Sequence, residues 1–171
     1  HIKPEKINSN KLLQSKTGGA VFGEGANFFV LSNNKEDSSY AQVMGLKTFN
    51  TLPKSDLLAN LELFLKENSL SMADIDVLIS GNNGDFEYDN YYSELTNGAF
   101  KNTQQVVYKH LSGEYNTVSA FGFWLGAKIL KTQQIPSAVA LNTLKTNGLE
   151  LVLLYNQYRG KNHSFTLLRR C

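Results

Sequence analysis

The sequence predicts an α/β domain layered around a mainly parallel central sheet. Two observations carry that reading. Short apolar runs rich in strand formers alternate along the chain with stretches whose apolar residues recur at helical spacing. The composition is 42% hydrophobic and 19% charged, with 13 Gly and only 3 Pro among 171 residues, which is globular and too apolar for a disordered chain. A chain of this length hides about 68–70% of its unfolded surface on folding, enough for one full core.

Residues 1–18 are polar and run into the Gly18-Gly19 pair; they read as an irregular lead-in, with the domain spanning 19–171. Residues 26–31 (ANFFVL) form an apolar strand ended by Ser32-Asn33-Asn34, and 40–46 (YAQVMGL) alternate as a second strand. The polar stretch 32–39 between them suits a hairpin with a wide turn. From Pro53 the period changes. Leu57, Leu58, Leu61, Phe64 and Leu65 share one helical stripe, with Pro53 in the first turn and Asn68 at the exit. Residues 75–79 (IDVLI) make a compact strand, preceded by Ser71 and Asp74 in turn positions. A polar loop (81–90), a short helix (91–100) and a strand (105–108) follow. The helix 117–132 carries Phe121, Trp124, Leu125 and Ile129, with Gly122, Gly126 and Ala127 letting its backbone approach neighbours. Residues 149–155 and 165–168 finish as two strands around a polar bend containing Gly160. The order is ββαβαβαββ, and its short-linked last pair implies one antiparallel edge strand.

Composition excludes several classes of function. A net charge of +2 is too small for a polybasic nucleic-acid binder. A single cysteine, Cys171, excludes an internal disulfide framework and a Cys-rich zinc site. No apolar run approaches the roughly 20 residues that cross a bilayer, so no membrane partner is expected. The opening residues 1–6 (HIKPEK) lack a signal peptide's apolar region, and the expected address is cytoplasmic. Because the first residue is not Met, a piece of a longer protein is expected.

No motif spells out a reaction. Gly23-Glu24-Gly25 lacks the third glycine of a phosphate loop and precedes a predicted strand, so it reads as a bend where backbones approach closely. Asp85, Glu87, Asp89 and Glu94 fail the calcium-loop pattern, since Asn90 and Thr96 stand where Gly and Glu are required. His1, His110 and His163 have no paired metal-ligand spacing, and a lone loop histidine is ordinarily solvated or capping. Asn162-His163-Ser164 has the form of a glycosylation sequon, without a secretory signal to give it meaning. Cys171, at the chain's end with no motif around it, reads as inert, and no G-x-S-x-G elbow occurs. No cofactor is expected.

Several segments together nevertheless resemble the C-terminal half of a β-ketoacyl synthase, a thiolase-fold condensing enzyme. Residues 19–31 (GAVFGEGANFFVL) are similar to that family's glycine-spaced GEGA and following strand. Residues 72–79 (MADIDVLI) resemble its DID segment, and 109–113 (KHLSG) its K-S-x-x-G-H. Residues 155–168 stand where the family has a glycine-rich turn and strand. The resemblance runs from about residue 17 in the right order. It implies a thiolase-like half-fold: a five-stranded mixed sheet with helices on its faces, the 53–67 helix exposed on one side and the 117–132 helix more buried, with Phe121 and Trp124 filling space. It also implies an acyltransferase setting, 3-oxoacyl synthesis in fatty acid or polyketide biosynthesis, and acyl carrier protein and acyl thioester as partners.

The departures fall on the family's catalytic groups. Its two histidines assist decarboxylation of malonyl carrier and stabilise the enolate. With Asp89 aligned on the family's loop aspartate, the first histidine position holds Gly81, and the second, after Gly113, holds Glu114. Lys109 is kept, and His110 falls on the serine position. The nucleophilic cysteine belongs to the other half. An ionised Glu114 offers only acceptors where the family offers donors, and a Lys109–Glu114 ion pair is expected in place of the imidazoles. The bland reading makes Lys109 a solvated lysine and Glu114 a carboxylate at a helix N-terminus. Three functions follow: a non-catalytic relative of the chain-length-factor kind, shaping an acyl or polyene pocket beside an active synthase; a fragment of an active condensing enzyme; or a stand-alone α/β binding or scaffold domain. A lone half-fold exposes the apolar layer that would face its N-terminal half, so a homo- or hetero-oligomer is expected.

Overall fold

The computed structural model describes residues 2–144 and 148–171. Five strands form one mixed sheet: β1 (Ala41–Thr51), β2 (Val77–Ser80), β3 (Gln104–Val107), β4 (Leu151–Tyr158) and β5 (Lys161–Arg170). Their order across the sheet is β1-β5-β4-β2-β3. Strand β2 runs parallel to both β3 and β4, while β5 is antiparallel to β4 and to β1. The two-residue turn joining β4 to β5 uses Arg159 (φ 52°) and Gly160 (φ 69°), both in the left-handed region that such a tight hairpin needs.

Three expectations about strands are corrected. Residues 26–31 form no strand: Val30 is 100% and Phe28 94% exposed, and the run pairs with no other segment among the described residues. Strand composition alone makes no strand without a partner to complete the ladder. The hairpin across 32–39 is therefore absent, and β1 pairs instead with β5. For that reason β5 is an inner strand, and the antiparallel edge belongs to β1.

The apolar patterning produces two core clusters, one on each face of the sheet. Because side chains alternate along a strand, Leu78, Leu153 and Tyr155 point to one face and Val77, Ile79, Val152 and Leu154 to the other. On the first face lies α2 (Leu57–Glu67), anchored by Leu57, Leu61, Phe64 and Leu65 and stopped at Asn68. The short α3 (Asn90–Glu94) joins the same cluster through Tyr92. On the second face lies α5 (Val118–Thr132), which brings Val118, Leu125, Ile129 and Leu130 to the sheet. Its glycines sit where expected: a methyl at Gly126 would lie 3.1–3.2 Å from Leu168, Ile79 and Val152, and one at Gly122 would lie 2.8 Å from the Tyr108 ring. Trp124 does not fill interior space. It is 40% exposed and stacked on Phe121, which itself packs against Tyr108 and the second core cluster.

Residues 2–18 contain one turn of helix, α1 (Ser9–Leu12), and are fastened to the body: Ile2 bridges Ala20, and Leu12 is buried. The DID segment proves to be a structural joint. Asp74 accepts hydrogen bonds from the Ser71 amide and hydroxyl (both 2.7 Å), Ile75 enters the core, and Asp76 accepts the Glu150 and Leu151 amides (2.8 Å each) where β4 begins. Among the described residues, no helix is long and apolar enough to cross a membrane.

Candidate functional site

The parallel strands β2 and β3 end side by side, and the chain beyond each end supplies the family-equivalent residues. After β3, Tyr108 leads into a single helical turn, α4 (Lys109–Ser112), which ends at Gly113. Lys109 is buried and donates to Glu114 Oε1 (3.1 Å) and Oε2 (2.8 Å). The expected ion pair is present, and it is an interior pair: Glu114 is only 4% exposed. This removes the reading of Lys109 as a solvated lysine. Glu114 Oε2 also accepts a 2.6 Å bond from Asn83 Nδ2, so the loop after β2 is stitched to the loop after β3. Burial pulls the Lys109 ammonium below its ordinary range, and the neighbouring Glu114 carboxylate opposes that.

Asp89 completes the cluster. It accepts the backbone amides of Asn83 (3.3 Å) and Gly84 (2.9 Å), closing the loop after β2 over itself. Burial pushes its carboxyl up to about 6, against the opposing pull of those amides, the Asn82 side chain and Lys109. Gly81 sits at the floor. A side chain there would run into Asn156 Oδ1 and come within 2.7 Å of the Tyr92 hydroxyl and 3.3 Å of Lys109 Cε. The space an imidazole would need is filled. Tyr92 is locked by donating to the Gln157 carbonyl (3.1 Å) and accepting its amide (3.0 Å), and Tyr108 donates to Asn156 Oδ1 (3.3 Å).

The glycine-rich bend proves to be the close approach its composition predicts. Residues 21–23 run beside the chain after α4, with Glu114 N donating to Val21 O (2.8 Å) and Gly23 N to Glu114 O (3.1 Å). Two shallow grooves flank this crossing. One, of about 320 Å³, lies between the lead-in (Ile7, Leu12) and α4 (His110, Leu111); the other, of about 310 Å³, is lined by Gly25, Tyr115 and Phe121.

His110 and His163 take no part in this cluster. His1 falls outside the described residues. His110 bonds the Ala138 carbonyl through Nε2 (2.8 Å). His163 is not a loop residue: it is buried on β5, its Nδ1 2.9 Å from the Tyr155 hydroxyl, and burial lowers its pKa. Cys171 follows β5 as a free, half-buried thiol. Among the described residues no His, Cys, Asp or Glu cluster could hold a metal ion.

Of the residues singled out from the sequence, Lys109, Glu114, Gly81 and Asp89 are brought together. Asn83, Tyr92, Tyr108 and Asn156 were not anticipated. Asn83, Asn156 and Tyr92, in the polar helix α3, carry no signal of their own, whereas a tyrosine at the end of an apolar strand, as Tyr108 is, marks a buried ring seeking a partner for its hydroxyl.

No family model and no curated protein matches the sequence. Solved structures do match the fold. The ishigamide ketosynthase/chain length factor superposes with a TM-score of 0.62 at 16% identity, over 77% of this chain and 38% of that one. A type II PKS acyl-carrier protein in complex with its ketosynthase bound to the hexaketide (AntDE:AntF) gives 0.58 at 12% identity, over 77% and 39%. The PfaC keto synthase-chain length factor gives 0.59 at 12%, over 80% and 14%. The chain has the thiolase-like fold of these proteins and spans less than half the length of each.

Proposed function

We propose that this chain is a ketosynthase-like domain of fatty acid or polyketide and polyene biosynthesis that does not itself catalyse condensation. It shapes an acyl pocket or partners an active synthase subunit, in the manner of a chain length factor. Its partners are then acyl carrier protein, an acyl thioester and a ketosynthase half or subunit, in the cytoplasm. The fold neighbours support the class of protein.

One observation supports the absence of catalysis. Where the family presents two imidazole donors toward a developing oxyanion, this chain has Gly81, with its side-chain space taken by Asn156 and Tyr92, and Glu114, closed onto Lys109 and Asn83. A carboxylate there repels both a malonyl carboxylate and an enolate. The test is carbon dioxide release from malonyl carrier protein, by this chain alone and with an active ketosynthase added. Negligible release alone is expected. Robust release that disappears on Glu114→Ala would overturn the reading and make Glu114 a working catalytic residue.

The second reading, a fragment of an active condensing enzyme, draws on the fact that the chain spans only 38–39% of two neighbours. Release that needs a covalently joined N-terminal half bearing a cysteine, and that survives Glu114→Ala, selects it.

A further inference from the structure

Lys3 lies in the lead-in and is 6% exposed, and among the described residues no carboxylate closes on it as an ion pair, Glu5 feeling its charge only from a distance. Its ammonium donates to three backbone carbonyls: Thr17 O (2.8 Å), Gly19 O (3.1 Å) and Gly84 O (2.6 Å). All three donors of the ammonium are thereby used. Two of these carbonyls belong to the lead-in and its exit, and the third to the loop after β2. Around this point the two segments are fitted closely. Phe86 N donates to Thr17 O (3.2 Å), and a side chain on Gly84 (φ 80°) would run into the Leu12 carbonyl.

We infer that Lys3 is a built-in cation that positions the 82–89 loop, and through it the Asn83–Glu114–Lys109 arrangement, by occupying a cradle of three carbonyls. The connection runs through one short piece of chain. The Gly84 carbonyl is held by Lys3 and the Gly84 amide by Asp89, while the preceding residue, Asn83, donates to Glu114. Three carbonyl dipoles converging on one point repel each other unless a cation lies between them, and in many folds a bound metal ion serves that purpose. Here a tethered ammonium does. The lead-in is accordingly a strap that completes the site's loop and one wall of the groove beside α4. The inference rests on this geometry alone and stands or falls separately from the reading of function.

The test is amide hydrogen exchange on the full chain carrying Lys3→Ala. The substitution deletes three methylenes and the ammonium, and n-propylammonium supplies those atoms in trans. Exchange of the Gly84, Phe86 and Asp89 amides is expected to accelerate at least tenfold while Leu153 in β4 is unchanged. Propylammonium at tens of millimolar is expected to restore protection, with sodium chloride and n-propanol at the same concentration ineffective. Loop amides unchanged in the variant, loop and β4 amides accelerating together, or propylammonium acting no better than sodium would each overturn the inference. If Lys3→Ala fails to fold, the same additive is included during refolding. Recovery of the fold with propylammonium but not sodium supports the inference, and no recovery overturns it.

Discussion

Gly23 and Gly113 cross backbone against backbone, so closely that a methyl on Gly113 would stand 2.6 Å from the Gly23 nitrogen. Gly113 also has φ of 71°, which L side chains rarely adopt. This crossing holds Glu114 in register with residues 21–23. A methyl on Gly23 would meet the Ser112 carbonyl, which is backbone and cannot rotate away. Gly23→Ala is therefore expected to destabilise the fold by about 1–3 kcal/mol through overpacking, read from the urea midpoint.

The Lys109–Glu114 pair sets a double-mutant test. Removing one partner leaves a buried charge unmatched, so Lys109→Met and Glu114→Leu are each expected to cost about 3–5 kcal/mol. The combined Lys109→Met, Glu114→Leu chain should recover most of that loss, because the desolvation of both charges disappears together. Chemical denaturation of the four proteins checks this. A double variant whose loss equals the sum of the single losses would show that the pair is not coupled.

Asp89 predicts a pH dependence. Its folded pKa of about 6 lies above the unfolded value of 3.8, so the folded state binds the extra proton between them. The stability associated with that proton is fully present below pH 3.8 and is lost as pH rises through 6. The shift corresponds to at most about 3 kcal/mol. Asp89→Asn should flatten the stability profile between pH 4 and about 6.5, as followed by thermal melts across a buffer series. A variant that retains the wild-type slope would assign it to another group.

Asp76 accepts two amides at the start of β4, a charge-assisted arrangement remote from the candidate site. Asp76→Ala leaves both amides without that acceptor and should cost about 2–3 kcal/mol. Protection of the Leu151 amide should fall selectively, as read by hydrogen exchange.

The exposed residues Phe28, Val30, Leu31 and Trp124 predict association. Sedimentation should show concentration-dependent oligomers or capture by an added ketosynthase, and an apolar dye should bind the free chain. Val30→Asp with Leu31→Ser should reduce dye binding severalfold and leave the melting temperature nearly unchanged, since neither side chain contributes to the core.

The helical stripe Leu57–Leu65 and the compact strand around Val77 were legible because their periodicity reports burial against neighbours within the chain. Residues 26–31 misled for the same reason: their composition reports a partner strand that they do not meet among the described residues, although Phe29 lies edge-on to Phe123. Gly81 and Glu114 were located only through a family pattern, and their meaning came from contacts. Asn156 and Tyr92 fill the space above Gly81 from 75 and 11 residues away in the chain, a proximity that no local pattern encodes.

The placement of β5 between β1 and β4 has a consequence for synthesis on the ribosome. The pair Thr51–Lys161 joins residues about 110 positions apart, so β1 emerges roughly 6–22 s before its neighbour at about 5–20 residues per second. Throughout that interval its ladder groups and the face bearing Met44 and Phe49 have no partner strand. The nascent chain is therefore open to aggregation, and in need of a holding chaperone, throughout the making of every element from α2 to β4. A ribosome stalled before Lys161 should present a protease-sensitive β1, and one stalled with residues 161–170 outside the exit tunnel a protected one.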